Sequence, residues 1–319
     1  MRFLVTGGAG FIGSHITERL LRDGHSVRVL DNFSSGKMEN LSFTEDPSLK
    51  SRFELLKGDI RDKGSCEAAC DAMEYVLHQA ALRSVPKSMK DPESYNEVNI
   101  GGTLNLLQSA ARKKVKRLVM ASSSSVYGDV TRFPEKEEFY PKLISPYALS
   151  KLADEYYCRI FSEHFGLETV CLRYFNVFGP RQALDDEYAV VIPKFIHCIL
   201  HDQKPPIFGN GKQSRDFTYI DNVVQANLRS AFAPGIRHEV FNVANGRDTT
   251  VLELVNAINR TLGKAVKPEF LPLRAGDVFR TCADISRIRK VIGFKPEVDF
   301  SEGLRRTIAW FKAKEETAR

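Results

Sequence analysis

No stretch of this chain approaches the roughly 20 consecutive apolar residues that a membrane-crossing helix needs. The amino terminus runs straight into Arg2-Phe3-Leu4-Val5-Thr6, a strand-like pattern with no secretory leader before it. A cytoplasmic protein with no membrane partner is therefore expected. Cysteine is sparse: six residues, at 66, 70, 158, 171, 198 and 282, contain no Cys-x2-Cys pair and have no histidine cluster beside them. That spacing argues against a disulfide framework and against a zinc site, so reduced structural thiols and no metal are expected. A nucleic-acid surface is lacking too. Lys and Arg exceed Asp and Glu by 46 to 40, but the excess is spread along the chain. Its one dense cluster, Arg112-Lys113-Lys114-Val115-Lys116-Arg117, reads as a solvated helix end. The formal charge of +6 suits anionic small molecules instead.

What the chain does have is apolar material for a large core, with 43% of its 319 residues hydrophobic. That length predicts one large α/β unit carrying a smaller lobe. From Met1 to about Tyr174, short apolar runs alternate with amphipathic segments, the signature of a parallel sheet covered by helices. Strands are predicted at Phe3–Thr6, Ser26–Leu30, Phe53–Leu56, Tyr75–His78, Arg117–Ala121 and Thr169–Arg173, and helices begin near Phe11, Lys63, Pro92 and Ser145. Residues 1–174 thus form a doubly wound, Rossmann-type unit. Beyond Asn176 the alternation fades into loops rich in Gly, Pro and Asp, with helical stretches near Val190–Leu200, Val251–Leu262 and Ser301–Lys314. Residues 175–319 are expected to make the smaller α/β lobe, with room to interweave with the first. In the helix from Ser145, Leu149, Leu152, Ala153, Tyr156, Tyr157, Ile160 and Phe161 make an apolar face too wide for one sheet contact. That face is either fully internal or joins a partner helix.

Thr6-Gly7-Gly8-Ala9-Gly10-Phe11-Ile12-Gly13 sets glycines at G-x2-G-x2-G spacing between a strand and the mouth of a helix. Gly7 permits the sharp turn, Gly10 lets backbone approach a pyrophosphate, and Gly13 lets the helix pack closely. The helix N-terminus then faces the phosphate charge. The next strand ends at Asp31, where a carboxylate can accept hydrogen bonds from ribose hydroxyls and repel a 2′-phosphate. NAD is favoured over NADP, with Lys37 nearby as the one contrary sign. Gly58-Asp59-Ile60 and Gln79-Ala80-Ala81 follow the third and fourth strands, at the sheet edge where open α/β folds bind ligands.

Tyr147-Ala148-Leu149-Ser150-Lys151 places a phenol and an ammonium four residues apart, on one helix face. A tyrosine titrating near 10 is a poor base at neutral pH, and a neighbouring cation favours its phenolate. Upstream, Ser122-Ser123-Ser124-Ser125-Val126-Tyr127-Gly128 leaves the fifth strand at the same edge. A hydroxyl there can bond the substrate oxygen that Tyr147 deprotonates.

Taken together, these motifs resemble the extended short-chain dehydrogenase/reductase family, and within it the UDP-glucose and UDP-N-acetylglucosamine 4-epimerases. The resemblance runs from end to end and also includes Asp31-Asn32-Phe33-Ser34, Arg173-Tyr174-Phe175-Asn176, Ser214-Arg215-Asp216-Phe217 and Arg274-Ala275-Gly276-Asp277. It implies Tyr147 as base, Lys151 on the nicotinamide ribose, and Ser123 as hydroxyl partner, with Ser124 in reserve. It implies NAD contacts from Phe11, Ile12, Asp31, Asn32, Phe33, Ser34, Ser35, Gly36, Asp59, Ile60, Gln79, Ala80, Ala81, Arg83, Asn99 and Phe175. The UDP-sugar would meet Arg83, Ser123, Ser124, Asn176, Val190, Arg215, Arg274, Asp277 and Thr281, the arginines on the diphosphate. A homodimer and a transient 4-keto sugar are implied as well.

The resemblance also separates sister activities. The 4,6-dehydratases carry an Asp-Glu pair after the hydroxyl residue, and UDP-glucuronate decarboxylases a glutamate at the second of those places. Here the two places hold Ser124 and Ser125. Four residues beyond Asp277, where hexose-only epimerases carry a tyrosine, this chain has Thr281. The smaller side chain implies room for an acetamido group. Decarboxylation of UDP-glucuronate and a non-catalytic NAD-binding role on the same fold are the alternatives.

Overall fold

The computed structural model describes residues 1–184, 191–273 and 278–317. Seven strands form its main sheet: β1 (Arg2–Thr6), β2 (Ser26–Asp31), β3 (Phe53–Lys57), β4 (Tyr75–His78), β5 (Arg117–Ser123), β6 (Glu168–Tyr174) and β7 (His238–Val243). All neighbours pair in parallel, in the order β7-β6-β5-β4-β1-β2-β3. The order reverses between β1 and β4, and a doubly wound sheet opens its ligand crevice at such a switch point.

Helices cover both faces because the central strands are apolar on both faces. Phe3 and Val5 of β1 enter one core cluster, whereas Leu4 enters the other. The same alternation separates Val119 from Leu118 and Met120 in β5. Helices α1 (Phe11–Arg22), α2 (Lys63–Cys70), α3 (Gly102–Arg112) and α4 (Pro146–His164) lie where the hydrophobic pattern predicts helix. Ser145 caps α4 by accepting a hydrogen bond from Ala148 N at 3.1 Å, and Pro146 fills the first turn. The helix expected near Pro92 is interrupted. A short helix at Pro92–Tyr95 passes into a π-helical turn, Asn96–Gly101, before α3 begins.

After β6 come α5 (Val191–Leu200), α6 (Ile220–Phe232), α7 (Val251–Leu262) and α8 (Phe300–Thr317). Helix α6 and strand β7 were not expected from the sequence. Helix α6 packs on the sheet, and β7 extends it by pairing with β6 along its whole length. Its first residues, His238 and Glu239, are polar and half exposed, as an edge strand permits, so no continuous apolar run announces it. All six cysteines are free and buried, and burial pushes the Cys66 and Cys70 thiols up to about 12.

Candidate active site

A cleft of about 860 Å³ opens at the carboxyl ends of β1, β2, β4 and β5. At one end the β1–α1 turn forms its floor. Gly7 adopts φ 65°, and a Cβ there would sit 2.8 Å from Ala80 N. A Cβ on Gly13 would lie 2.1 Å from the Gly7 carbonyl oxygen, so only glycine lets the helix start this close to the turn. Gly10, Phe11, Ile12 and Gly13 therefore present the first turn of α1 to the cleft. At the end of β2 the Asp31 carboxylate accepts Ala9 N at 2.9 Å and Phe33 N at 2.8 Å. These bonds fix its orientation and leave lone pairs facing the cleft. Beside it, Asp59 accepts Asn32 Nδ2 at 2.8 Å and Arg61 Nη2 at 2.9 Å, and the Arg61 guanidinium holds its carboxyl down at about 2.

At the other end, α4 brings Tyr147 and Lys151 to the same wall, facing Ser122, Ser123, Ser124 and Ser125. The helix is pinned beneath by buried charge. Arg173 pairs with Glu155 at 2.8 Å, both 5% exposed, and Ser122 Oγ donates to Glu155 at 2.5 Å. Ser122 is thereby committed to structure. Ser123 Oγ donates to Ser125 Oγ at 3.0 Å and accepts Ser125 N at 3.1 Å, so its hydroxyl is fixed at the strand exit. Lys151, 3% exposed, has its ion pair with Asp154, whose carboxylate oxygen lies 3.5 Å from the ammonium. Complete burial pushes the Asp154 carboxyl up to about 7 against the pull of Lys151. Below them His78 bridges Thr6 Oγ1 at 2.6 Å and Thr103 Oγ1 at 3.0 Å, and burial holds it neutral, down at about 3.

Residues 3–244 match the model of the NAD dependent epimerase/dehydratase family. The chain belongs to that family. Its fold superimposes with a TM-score of 0.93 on UDP-N-acetylglucosamine 4-epimerase from Methanobrevibacter ruminantium, solved with UDP-N-acetylmuramic acid, at 42% identity over 98% of each chain. Against the Thermus thermophilus UDP-glucose 4-epimerase, solved with NAD, the TM-score is 0.88 at 37% identity, covering 98% of this chain and 99% of the other. A UDP-N-acetyl-alpha-D-glucosaminuronate decarboxylase of Bacillus cytotoxicus is 33% identical over 98% of both chains.

NAD is the cofactor of this epimerase/dehydratase chain, and the residues present fit it. The first turn of α1, held close to the Gly7 turn by Gly13, would take the pyrophosphate, and the fixed Asp31 carboxylate the ribose. Asn32, Ser34, Ser35, Asp59, Ile60, Gln79, Ala80, Ala81 and Arg83 also line the cleft. Four further expected cofactor residues are fixed by the fold around the cleft. Phe33, with φ 59°, donates its N–H to Asp31 and shapes the turn, and Gly36 fits where a Cβ would meet Ala9 at 2.9 Å. Phe175 is fully buried, its ring 6.0 Å from that of Tyr127. Asn99, in the π-helical turn, accepts Leu82 N at 2.8 Å and donates to Leu82 O and Ser150 Oγ, tying the β4 loop to α4.

Of the expected sugar-nucleotide residues, Asn176 reaches the cleft and donates to Thr281 Oγ1 at 3.1 Å. Arg215 lies in a short strand, its guanidinium on the Ser214 and Phe279 carbonyls. Val190, Arg274 and Asp277 fall outside the described residues. The sequence reading missed a polar triangle beneath the cleft. Tyr174 Oη donates to Gln79 at 3.2 Å, while Asn227 of α6 donates to Tyr174 at 2.7 Å and accepts Gln79 Nε2 at 3.2 Å. It missed the wall residues Arg61, Gln182, His197 and Glu315 as well. Nothing in their local patterns singles them out, because they reach the cleft only through tertiary packing.

Proposed function

We propose that the protein interconverts the 4-epimers of UDP-hexoses, acting on UDP-GlcNAc and UDP-GalNAc as well as on UDP-Glc and UDP-Gal. One observation carries the reading: Tyr147, Lys151, Ser123 and Ser124 share a cleft with the glycine-rich turn and Asp31. Bound NAD would supply reversible hydride acceptance at C4 of the sugar, so that substrate and product have the same oxidation state.

The remaining work falls to side chains. Tyr147 Oη accepts the proton of the 4-hydroxyl and later gives it back, and Lys151, one helical turn on, holds the nicotinamide ribose. Ser123 holds the same sugar oxygen, with Ser124 as the alternative. Arg83, Asn176 and Arg215 support the UDP moiety, joined by Val190, Arg274 and Asp277. Thr281, hydrogen-bonded to Asn176, leaves volume for an acetamido group that a tyrosine would fill. Two copies pair through the outer face of α4, where Leu149, Tyr156 and Ile160 are exposed.

Incubation of the purified protein with UDP-GlcNAc, UDP-Glc and UDP-GlcA in separate reactions, with products resolved by chromatography, tests the reading. Epimers of the first two are expected. CO2 release from UDP-GlcA would replace the proposal with a decarboxylase, and a 4-keto-6-deoxy product with a dehydratase. Inertness toward all three would favour a non-catalytic NAD-binding protein.

A further inference from the structure

His197 lies near the end of α5, and His201 follows one helical turn later, so both imidazoles project from the same face. Their ring centroids are 4.4 Å apart. Glu315, on α8, reaches between them. One carboxylate oxygen is 3.6 Å from His197 Nδ1 and the other 3.5 Å from His201 Nε2. These separations are long for hydrogen bonds. They match the spacing of ligands sharing one ion, because two atoms each about 2.0–2.2 Å from a tetrahedral zinc lie roughly 3.3–3.5 Å from each other.

The geometry points to a divalent transition-metal site formed by His197, His201 and Glu315, with zinc as the fitting ion. The ligand atoms all lie within 4.8 Å of one another. His201 Nδ1 lies 2.8 Å from the His197 carbonyl oxygen. Donation of that N–H to the carbonyl fixes the tautomer whose Nε2 lone pair faces Glu315, the arrangement that supports metal-binding histidines. Two imidazoles and one carboxylate suit zinc or copper(II) far better than magnesium or calcium. The three side chains are 32–40% exposed, which leaves water the fourth position. The histidine pair stands at i, i+4 in the sequence, but the third ligand is supplied by a helix more than a hundred residues on and comes to light only in the fold. His197 and Glu315 also border the main cleft, beside Trp310 and Lys314. A bound ion would therefore clip α8 to α5 at the cleft's rim, whichever sugar the enzyme takes.

The test is a titration of the untagged, chelator-treated full chain with ZnCl2 and, in parallel, MgCl2, read by calorimetry and by thermal unfolding. His201→Ala and Glu315→Gln are compared with wild type, and His164→Ala, on a histidine 68% exposed elsewhere, serves as control. One equivalent of zinc per chain, a raised unfolding temperature and no magnesium effect are expected. Affinity should fall about tenfold or more in His201→Ala and Glu315→Gln and stay unchanged in His164→Ala, while the metal-free unfolding temperatures all agree. Zinc binding of equal strength in His201→Ala and wild type, or none in wild type, would overturn the proposal. A lowered metal-free unfolding temperature in His201→Ala shifts the decision to Glu315→Gln, whose surface position tolerates the neutral isostere.

Discussion

Gly13 makes a demanding fit at the mouth of α1. A methyl group there must displace the Gly7 carbonyl, and overpacking of this kind costs about 1–3 kcal/mol. Gly13→Ala is expected to weaken NAD binding at least about tenfold, measured by cofactor fluorescence on titration, and unchanged affinity would contradict the close approach. Tyr147→Phe removes one oxygen. Turnover should fall by roughly two to four orders of magnitude while cofactor affinity holds, and full turnover would remove the phenol from the mechanism. His78 makes a pH prediction. Its folded value near 3 lies below the unfolded value near 6.5, so the stability it confers is complete above pH 6.5 and is lost as pH falls toward 3. The slope approaches about 1.4 kcal/mol per pH unit in that window. Denaturant midpoints measured from pH 7.5 to 5 should fall less steeply in His78→Gln than in wild type. Residues whose chemistry depends on local spacing, such as Tyr147 with Lys151 or Gly7 with Gly13, were legible in the sequence. The setting of Asn99 and Phe175 was not legible there, because it comes from the π-helical turn that ties Asn99 to Leu82 and from the core packing that buries Phe175.

At the scale of elements, the proposed function gives α4 two faces, one for chemistry and one for pairing. Its inner face buries Lys151, Asp154, Cys158 and Phe161, whereas Leu149, Tyr156 and Ile160 remain exposed along the opposite side. Light scattering should report a dimer for wild type and a monomer for the double variant Leu149→Arg, Tyr156→Arg. A monomeric wild type, or a dimer that survives both arginines, would contradict pairing through this face. The central strands were readable because parallel strands covered on both faces are nearly continuous apolar runs. β7 was not, since its half-exposed entry lacks that pattern. α6 was missed as well, because Asp221, Asn222, Gln225 and Asn227 dilute its hydrophobic signal. Asn222 and Asn227 are nevertheless buried, and each finds hydrogen-bond partners far along the chain, in Val298 and Tyr174.

Across the whole molecule, the return of the chain after β6 ties back to the start of the cleft. Arg181 pairs with Glu18 of α1, and His15 Nε2 contacts the Pro180 carbonyl at 2.9 Å. The segment that follows the sheet thus grips the helix that starts the cofactor site. Fold class and the cofactor end of the cleft follow from the alternation of elements and the glycine-rich turn, both visible in sequence, whereas this contact joins residues some 165 positions apart in the chain. The central claim is that one carbon is oxidised and restored inside a single closed site. UDP-GlcNAc carrying deuterium at C4, converted by the purified protein in ordinary water, tests it most directly. The account predicts that mass spectrometry finds the deuterium retained at C4 of the UDP-GalNAc formed. Product that has exchanged its label for solvent hydrogen would contradict it.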